Sequence, residues 1–378
     1  MAMPTPVPVT LSGGKVPSSS VIRDILATFL TEEWPAVNPS SLKISYRTSF
    51  ANDHCTVERP KPAAGTPAEP LKLFIKFCKE TAADIEVFKH LFPTKEDETQ
   101  LCYRYGQSGL GPKVYGSFRT LDGTLGRIEQ FLDARNLEPE DVENESIRAD
   151  IANALARFHV METTLERKAA GQFYEALISG LTTYHGKGKL KVLGKEGGVS
   201  LDRLIEYDFS PRLTRVVDAL ESIRAKQGWC LHDMQYMNVM VKNDPGEEES
   251  KVVLIDLECV TQNYRAFDIG GHFMQKTFKW FDDENKIANC GEYTEEEKKH
   301  FCDVYARQWN ELTGESDTMD QVFRESEYGY VLAVAFDIHN MLCFMDMEDD
   351  SNPLNLLGLQ KLFEMFVSQC TRLGLETV

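Results

Sequence analysis

The sequence lacks paired cysteines. Its nine Cys are dispersed singly, with no CxxC and no His partner at zinc-ligand spacing. That argues against a disulfide framework or a structural zinc and fits reduced thiols in a cytoplasmic protein. It lacks a basic excess: 59 acidic against 41 basic residues give a formal net charge of −18. No nucleic-acid partner is expected from such a balance, which instead suits a small cationic ligand. It lacks a long uninterrupted apolar run; the stretch YVLAVAF is broken by Asp337, so no integral membrane contact is expected. The first residues, MAMPTPVPVT, have no basic start followed by an apolar core, so no secretory signal is expected. Glycine is absent from the loop TSFANDH, so no close-fitting backbone cradle is expected there.

What is present is enough for a core. Hydrophobic residues make up 42% and charged residues 26% of 378, the balance of a folded chain with two or three lobes. Residues 1–17, rich in Pro, Thr, Ser and Gly, read as a flexible tail. SSSVIRDILATFL reads as a Ser-capped helix. LKISYRTSF, HCTVE and LKLFIKF read as strands, and PKPAAGTPAEP as a surface loop. ADIEVFKHLF has Ile85, Phe88 and Phe92 at helical spacing, and KVYGSF and GRIEQFL read as strands. Residues 18–132 therefore form a small β-rich lobe. After a hinge near Asp133, residues 133–378 form a mainly helical lobe. There Ile147, Ile151, Leu155 and Phe158 mark one helix, Phe301, Tyr305 and Trp309 another, and Leu362, Phe363, Phe366, Val367 and Cys370 a last one.

One stretch carries chemistry. CLHDMQYMNVMVKN and the following VVLIDLECV place Asp233 and Asn238 on a polar loop and Asp256 at the end of an apolar strand. A loop Asp can orient an acceptor hydroxyl and take its proton. An Asn five residues on and a strand-ending Asp can hold metal ions bridging nucleotide phosphates. Each residue alone is an ordinary turn or cap residue; the three together at this spacing point to phosphoryl transfer.

The run LIDLECVTQNYRAFDIGGHF resembles the signature of choline and ethanolamine kinases. GLGPKVYGSF, GRIEQFLDARNLEPEDV and IANALARFH are similar to the same family, and the resemblance covers most of Leu71 to Phe273. It implies a two-lobed, protein-kinase-like α+β fold. It also implies ATP and Mg2+ as cofactors, with a small amino alcohol, choline or ethanolamine, as acceptor. It casts Asp233 as the catalytic base and Asp256 and Asn238 as metal ligands. Lys76 steadies the phosphates, with Asp84 preferred to Glu86 as its carboxylate partner. Ser49 and Asn52 then approach the nucleotide, and Glu129, Gln130 and Phe131 stand where an adenine edge binds. Arg265 and Asp268 read as a buried brace for the active-site loop, and His159 and His272 as core histidines.

Departures from the family cluster at the acceptor. Gln275 stands at an acidic position, Cys259 at a Tyr position, and Ile338 and Met341 where two Trp are expected. Glu258, Gln275 and Trp280 remain as acceptor-binding candidates, with Asp337 or Asp346 as further sources of charge. In the catalytic loop, Leu231 replaces the usual His and His232 the usual Asn. A kinase for another alcohol or an aminoglycoside, and a non-catalytic binding protein, both stay open, as does a homodimer.

Overall fold

The computed structural model describes residues 4–11, 16–48, 52–62, 65–78, 86–184, 186–246, 249–348 and 351–375. The chain divides into two compact units. The first comprises Met1–Asp84, Pro93–Asp133 and Thr163–Leu165; the second Ile85–Phe92, Ala134–Glu162 and Glu166–Val378.

The N-terminal unit is a six-stranded sheet with two helices. Its elements are β1 (Thr5–Pro6), α1 (Ser19–Phe29), β2 (Lys43–Thr48), β3 (Asn52–Glu58), β4 (Lys72–Cys78), α2 (Lys95–Gln107), β5 (Val114–Arg119) and β6 (Leu125–Gln130). The strand order is β1-β5-β6-β4-β3-β2. All neighbours are antiparallel except β1, which runs parallel to β5. Ser18 caps α1 by accepting the Val21 amide, one of the orphan donors of a helix start. Ile22, Ile25 and Leu26 then face a core shared with Trp34, Val57, Ile75 and Ile128.

The flexible tail expected over 1–17 is not what residues 4–11 form. Thr5–Pro6 adds a two-residue edge strand, and beyond it the Val7 amide donates to Arg119 O at 2.9 Å and the Leu121 amide to Val9 O at 2.9 Å. Val7 and Val9 enter the core. Proline-rich composition hid this: Pro cannot donate to a ladder, but on an edge strand it need not, and the alternate valines supply the apolar face. The helix expected over 83–92 is also not formed as such. Residues 81–85 lie outside the described residues, and a single 3-10 turn, Glu86–Phe88, follows. Phe88 and Phe92 instead stack at 5.7 Å. Pro93 disfavours a helical residue before it, and the helix begins afresh after Thr94, whose side chain accepts the Asp97 amide.

The C-terminal unit contains β7 (Ala134–Asn136), α3 (Glu145–His159), α4 (Ala170–Thr183), α5 (Lys187–Gly197), α6 (Asp202–Glu206), α7 (Ser210–Ser222), β8 (Gln227–Cys230), β9 (Val239–Lys242), β10 (Val252–Leu254), β11 (Thr261–Tyr264), α8 (Ala266–Gln275), α9 (Glu295–Thr313), α10 (Met319–Glu348) and α11 (Pro353–Arg372). Two small sheets, β10-β9-β7 and β11-β8, lie among these helices. They carry the loops that matter.

α10 packs against α8, α9 and α11. Its approach to α8 is set by glycine: a Cβ on Gly270 would run into the backbone of Tyr330, and one on Gly329 into that of Ala266. Met319–Met345 is long and apolar enough to cross a membrane by length and composition, which the individual apolar runs do not suggest. Its most apolar window is 67% buried inside the unit, as expected of a central core helix.

Candidate active site

The C-terminal unit builds its polar centre from two loops. β8 pairs with β11, and the chain leaves β8 at Cys230 into the loop Leu231–Gln235. A 3-10 turn, Tyr236–Asn238, leads into β9, which pairs antiparallel with β10. Just beyond β10 the Ile255 amide donates to Asn238 O at 2.9 Å. This bond sets Asn238 beside the residue before Asp256. The Asn238 Nδ2 donates to Asp233 O at 3.1 Å, so the three residues separated by up to 23 positions are tied together by backbone contacts.

His232 and Asp256 both have left-handed backbones, φ 63° and 61°. Such conformations are uncommon outside Gly and cost of order 1–3 kcal/mol each unless surroundings hold them. The surroundings here do. Asp268 accepts the amides of Leu231 at 2.6 Å and His232 at 2.9 Å. It also meets His159 Nε2 at 3.1 Å, and His159 Nδ1 stands 2.6 Å from the Tyr305 hydroxyl. His232 Nδ1 lies 3.0 Å from both Cys230 O and Cys259 O, and Asn263 Nδ2 donates to its Nε2 at 2.8 Å. Two carbonyls on one side and an N–H on the other define a neutral ring protonated on Nδ1. Burial agrees, pushing the His232 pKa down to about 4. His232 is thus a strut between the two loops.

Arg265 takes a different part of the brace. It does not pair with Asp268. Its Nε donates to Glu325 at 2.8 Å and its Nη1 lies 2.6 Å from Asp317, tying the start of α8 to α10 and the segment before it.

The electrostatics single out Asp233. Burial first, then the charges of Asp256 and Glu258, push its pKa up to about 7, against the pull of Asn238 and the Gln235 amide. Three carboxylates on two loops repel one another, so a cation placed among them relieves the strain. The donors suit a hard divalent ion: the Asp256 carboxylate and the amide oxygen of Asn238, whose Nδ2 is turned toward Asp233 O.

A second acid lies close by. Asp337 on α10 accepts from Gln275 Nε2 at 2.7 Å, and Gln275 Oε1 accepts from Trp280 Nε1 at 3.1 Å. Trp280 stacks on Phe278 with centroids 4.3 Å apart. Gln275, Phe278 and Trp280 line a cavity of about 340 Å³, together with Gln235, Tyr236 and Phe281. Burial and the Asp233 charge push the Asp337 carboxyl well up. The side chain of Asp346 lies outside the described residues.

In the N-terminal unit, Lys76 is 7% exposed on β4. Its Nζ lies 3.3 Å from Glu98 Oε1. Glu98, fully buried on α2, also pairs with Arg127 at 2.7 Å and Lys95 at 3.1 Å. The carboxylate expected for Lys76 was Asp84; Asp84 and Ser49 lie outside the described residues, and the partner seen is Glu98. Its sequence setting hid it, since Glu96, Asp97 and Glu98 all read as charges favouring the first turn of α2. Glu129 is likewise engaged: its carboxylate pairs with Arg127, and its backbone faces Phe74 on one side and Val114 on the other. The strand ends at Gln130, and the backbone beyond it leaves the ladder. Phe131 there carries the Lys72 ammonium 3.7 Å from its ring centroid. Asn52 opens β3 and is buried.

Burial alone would raise the Glu98 carboxyl, but Lys76, Arg127 and Lys95 overcome it and hold it well below its usual range. Removing one member of a buried ionic cluster typically costs about 3–5 kcal/mol. Glu98→Gln is expected to destabilise the N-terminal unit by that order at pH 7. Because the folded carboxyl is depressed, the contribution is present above the ordinary value of 4.5 and is lost as pH falls below it. Urea unfolding of both proteins across pH checks this; equal stability at pH 7 would show the cluster to be neutral.

The profile described as choline/ethanolamine kinase matches residues 86–349, a span that holds the whole of the two-loop centre. The chain belongs to the choline/ethanolamine kinase family. Among curated relatives, it is 24% identical over 295 residues to choline kinase alpha of Mus musculus, covering 73% of this chain and 63% of that protein. It is 28% identical over 202 residues to a choline/ethanolamine kinase of Homo sapiens, covering 53% of this chain and 48% of that protein. The chain thus spans about half to two thirds of the length of these relatives. In fold it is similar to a choline kinase of Cryptosporidium parvum, with a TM-score of 0.65 at 11% identity, covering 94% of this chain and 97% of that one. The protein-kinase-like fold implied by the sequence is therefore the fold present. Of the positions where the sequence reading expects a difference from the family, Ile338 is fully buried and the Gln275 amide is engaged at both ends.

Proposed function

We propose that this chain transfers the γ-phosphoryl group of ATP to the hydroxyl of a small amino alcohol, choline or ethanolamine, with magnesium, as in phospholipid head-group synthesis. The observation that carries this is the tie between two loops, Asn238 Nδ2 donating to Asp233 O at 3.1 Å and the Ile255 amide to Asn238 O at 2.9 Å, with burial and neighbouring acids pushing the Asp233 carboxyl up to about 7. Asp256 and Asn238 would hold magnesium, which neutralises charge on the phosphates. Asp233 accepts the proton of the acceptor hydroxyl as its oxygen bonds to phosphorus and the bond to the leaving ADP breaks. In the N-terminal unit, Lys76, held by Glu98, is a buried cation of the kind that suits phosphate. Asp268 and His232 keep the loop from relaxing, so positioning rather than covalent chemistry supplies most of the rate. Nine free thiols, seven of them buried, support a reducing, cytoplasmic setting.

The test is ADP release with choline, ethanolamine and an aminoglycoside supplied separately. Ethanolamine is expected to rival choline. A desolvated cation–π contact is worth about 2 kcal/mol, roughly thirtyfold, and Ile338 and Met341 on α10 add no aromatic face for N-methyl groups to those of Tyr236, Phe278, Trp280 and Phe281. A preference for choline above about a hundredfold would overturn the acceptor assignment. Release stimulated only by the aminoglycoside would overturn the amino-alcohol reading.

A further inference from the structure

We infer that Asp337, on α10, is the carboxylate that binds the acceptor's ammonium group, and that it selects primary over quaternary ammonium. This rests on the amino-alcohol reading above. The Gln275–Trp280 pair is the starting point. Gln275 donates through Nε2 to Asp337 Oδ2 and accepts through Oε1 from Trp280 Nε1. Rotating that amide would set N–H against N–H and oxygen against carboxylate, so its orientation is fixed. Gln275 is neutral and its main polar contacts are taken; it serves Asp337 rather than a ligand's charge. Among the described residues, Asp337 Oδ1 has no hydrogen bond, and Asp337 is only half-buried.

Spacing supports the assignment. The carboxylates of Asp233 and Asp337 are near enough that the charge of one raises the other. An amino alcohol carries its ammonium only two carbons from its hydroxyl, so a carboxylate that binds it must lie near Asp233. Gln275, which holds Asp337, lines a cavity together with Phe278 and Trp280. Asp337 follows the fully buried Phe336 and precedes the fully buried Ile338, so α10 holds it rigidly. A primary ammonium has three N–H donors for a carboxylate oxygen; a quaternary one has none and gains only charge attraction.

The experiment is titration calorimetry of the full chain with ethanolamine, choline and the neutral ethylene glycol, alongside ADP release, for wild type and Asp337→Asn. The Asn is isosteric and can still accept from Gln275, and thermal unfolding checks the fold. Ethanolamine affinity is expected to fall about tenfold to a hundredfold, the range for a hydrogen bond to a charged group. Choline is expected to fall less and ethylene glycol not at all, with the KM for ATP unchanged. An ethanolamine affinity within threefold of wild type, or an equal fall for both amines, overturns the inference. If wild type itself binds neither amine, the amino-alcohol reading falls with it. If wild type turns over ethanolamine and Asp337→Asn is unaffected, the inference alone falls. If Asp337→Asn does not fold, Gln275→Leu, which frees Asp337 Oδ2 and leaves its charge, provides the second measurement. Its ethanolamine affinity is expected to hold or rise, and a tenfold loss would assign the ammonium to Gln275.

Discussion

Asp256→Ala is expected to abolish magnesium-supported turnover while leaving the fold in place. The substitution deletes a carboxylate that sits half-buried after β10 and adds no group that needs a partner. The left-handed backbone at this position, φ 61°, suits Ala less than Asp, so a modest loss of stability is expected with the fold retained. Metal-based charge stabilisation is worth several kcal/mol in phosphoryl transfer, so the loss is expected to be at least on the order of a thousandfold. Magnesium titration followed by thermal unfolding gives a readout independent of turnover. Asp233 has a folded pKa near 7, above its ordinary 3.8. Its contribution to stability is therefore full below the ordinary value and lost as pH rises through about 7. Magnesium is accordingly expected to raise the wild-type Tm more at alkaline than at acidic pH, and not to raise that of Asp256→Ala. A folded Asp256→Ala protein with near-normal turnover would remove Asp256 from the metal site.

Asp233→Asn is expected to lower turnover by about a hundredfold to ten-thousandfold, the usual range for a positioned general base, with ATP affinity little changed. The amide keeps the volume and loses the negative charge. Wild-type kcat/KM for the acceptor is expected to rise as pH passes through about 7, where Asp233 ionises. The acids around it titrate as a coupled set, so the limb belongs to the cluster, but it needs Asp233 to be seen. In Asp233→Asn that limb is expected to disappear. A variant that loses ATP affinity yet keeps its turnover per bound complex would make Asp233 a structural residue.

The elements that could be read directly are those whose cause is local. Phe301, Tyr305 and Trp309 recur at one helical face and are buried on α9. The Asp233–Asn238–Asp256 set was legible because β8, its loop and the β9–β10 hairpin follow one another, so sequence spacing and spatial closeness coincide. Where local signals misled, another force had won. Pro-rich residues 4–11 lie against the sheet edge, Thr5–Pro6 as a strand, because Val7 and Val9 found an apolar core. In the described part of the apolar 83–92 stretch, a 3-10 turn at Glu86–Phe88 stands before Pro93.

By itself, then, the sequence determined the kinase-like fold class and the spacing that sets Asp233, Asn238 and Asp256 on neighbouring loops. Tertiary structure decided which charges meet. Glu98 reaches Lys76 across 22 positions and Arg127 across 29. Asp268 holds loop amides 36 and 37 residues away, and Asp337 meets Gln275 across 62. A carboxylate in a helix looks the same in sequence whether it faces solvent or a buried ammonium. Only packing removes the water, and only then does its charge demand a particular partner.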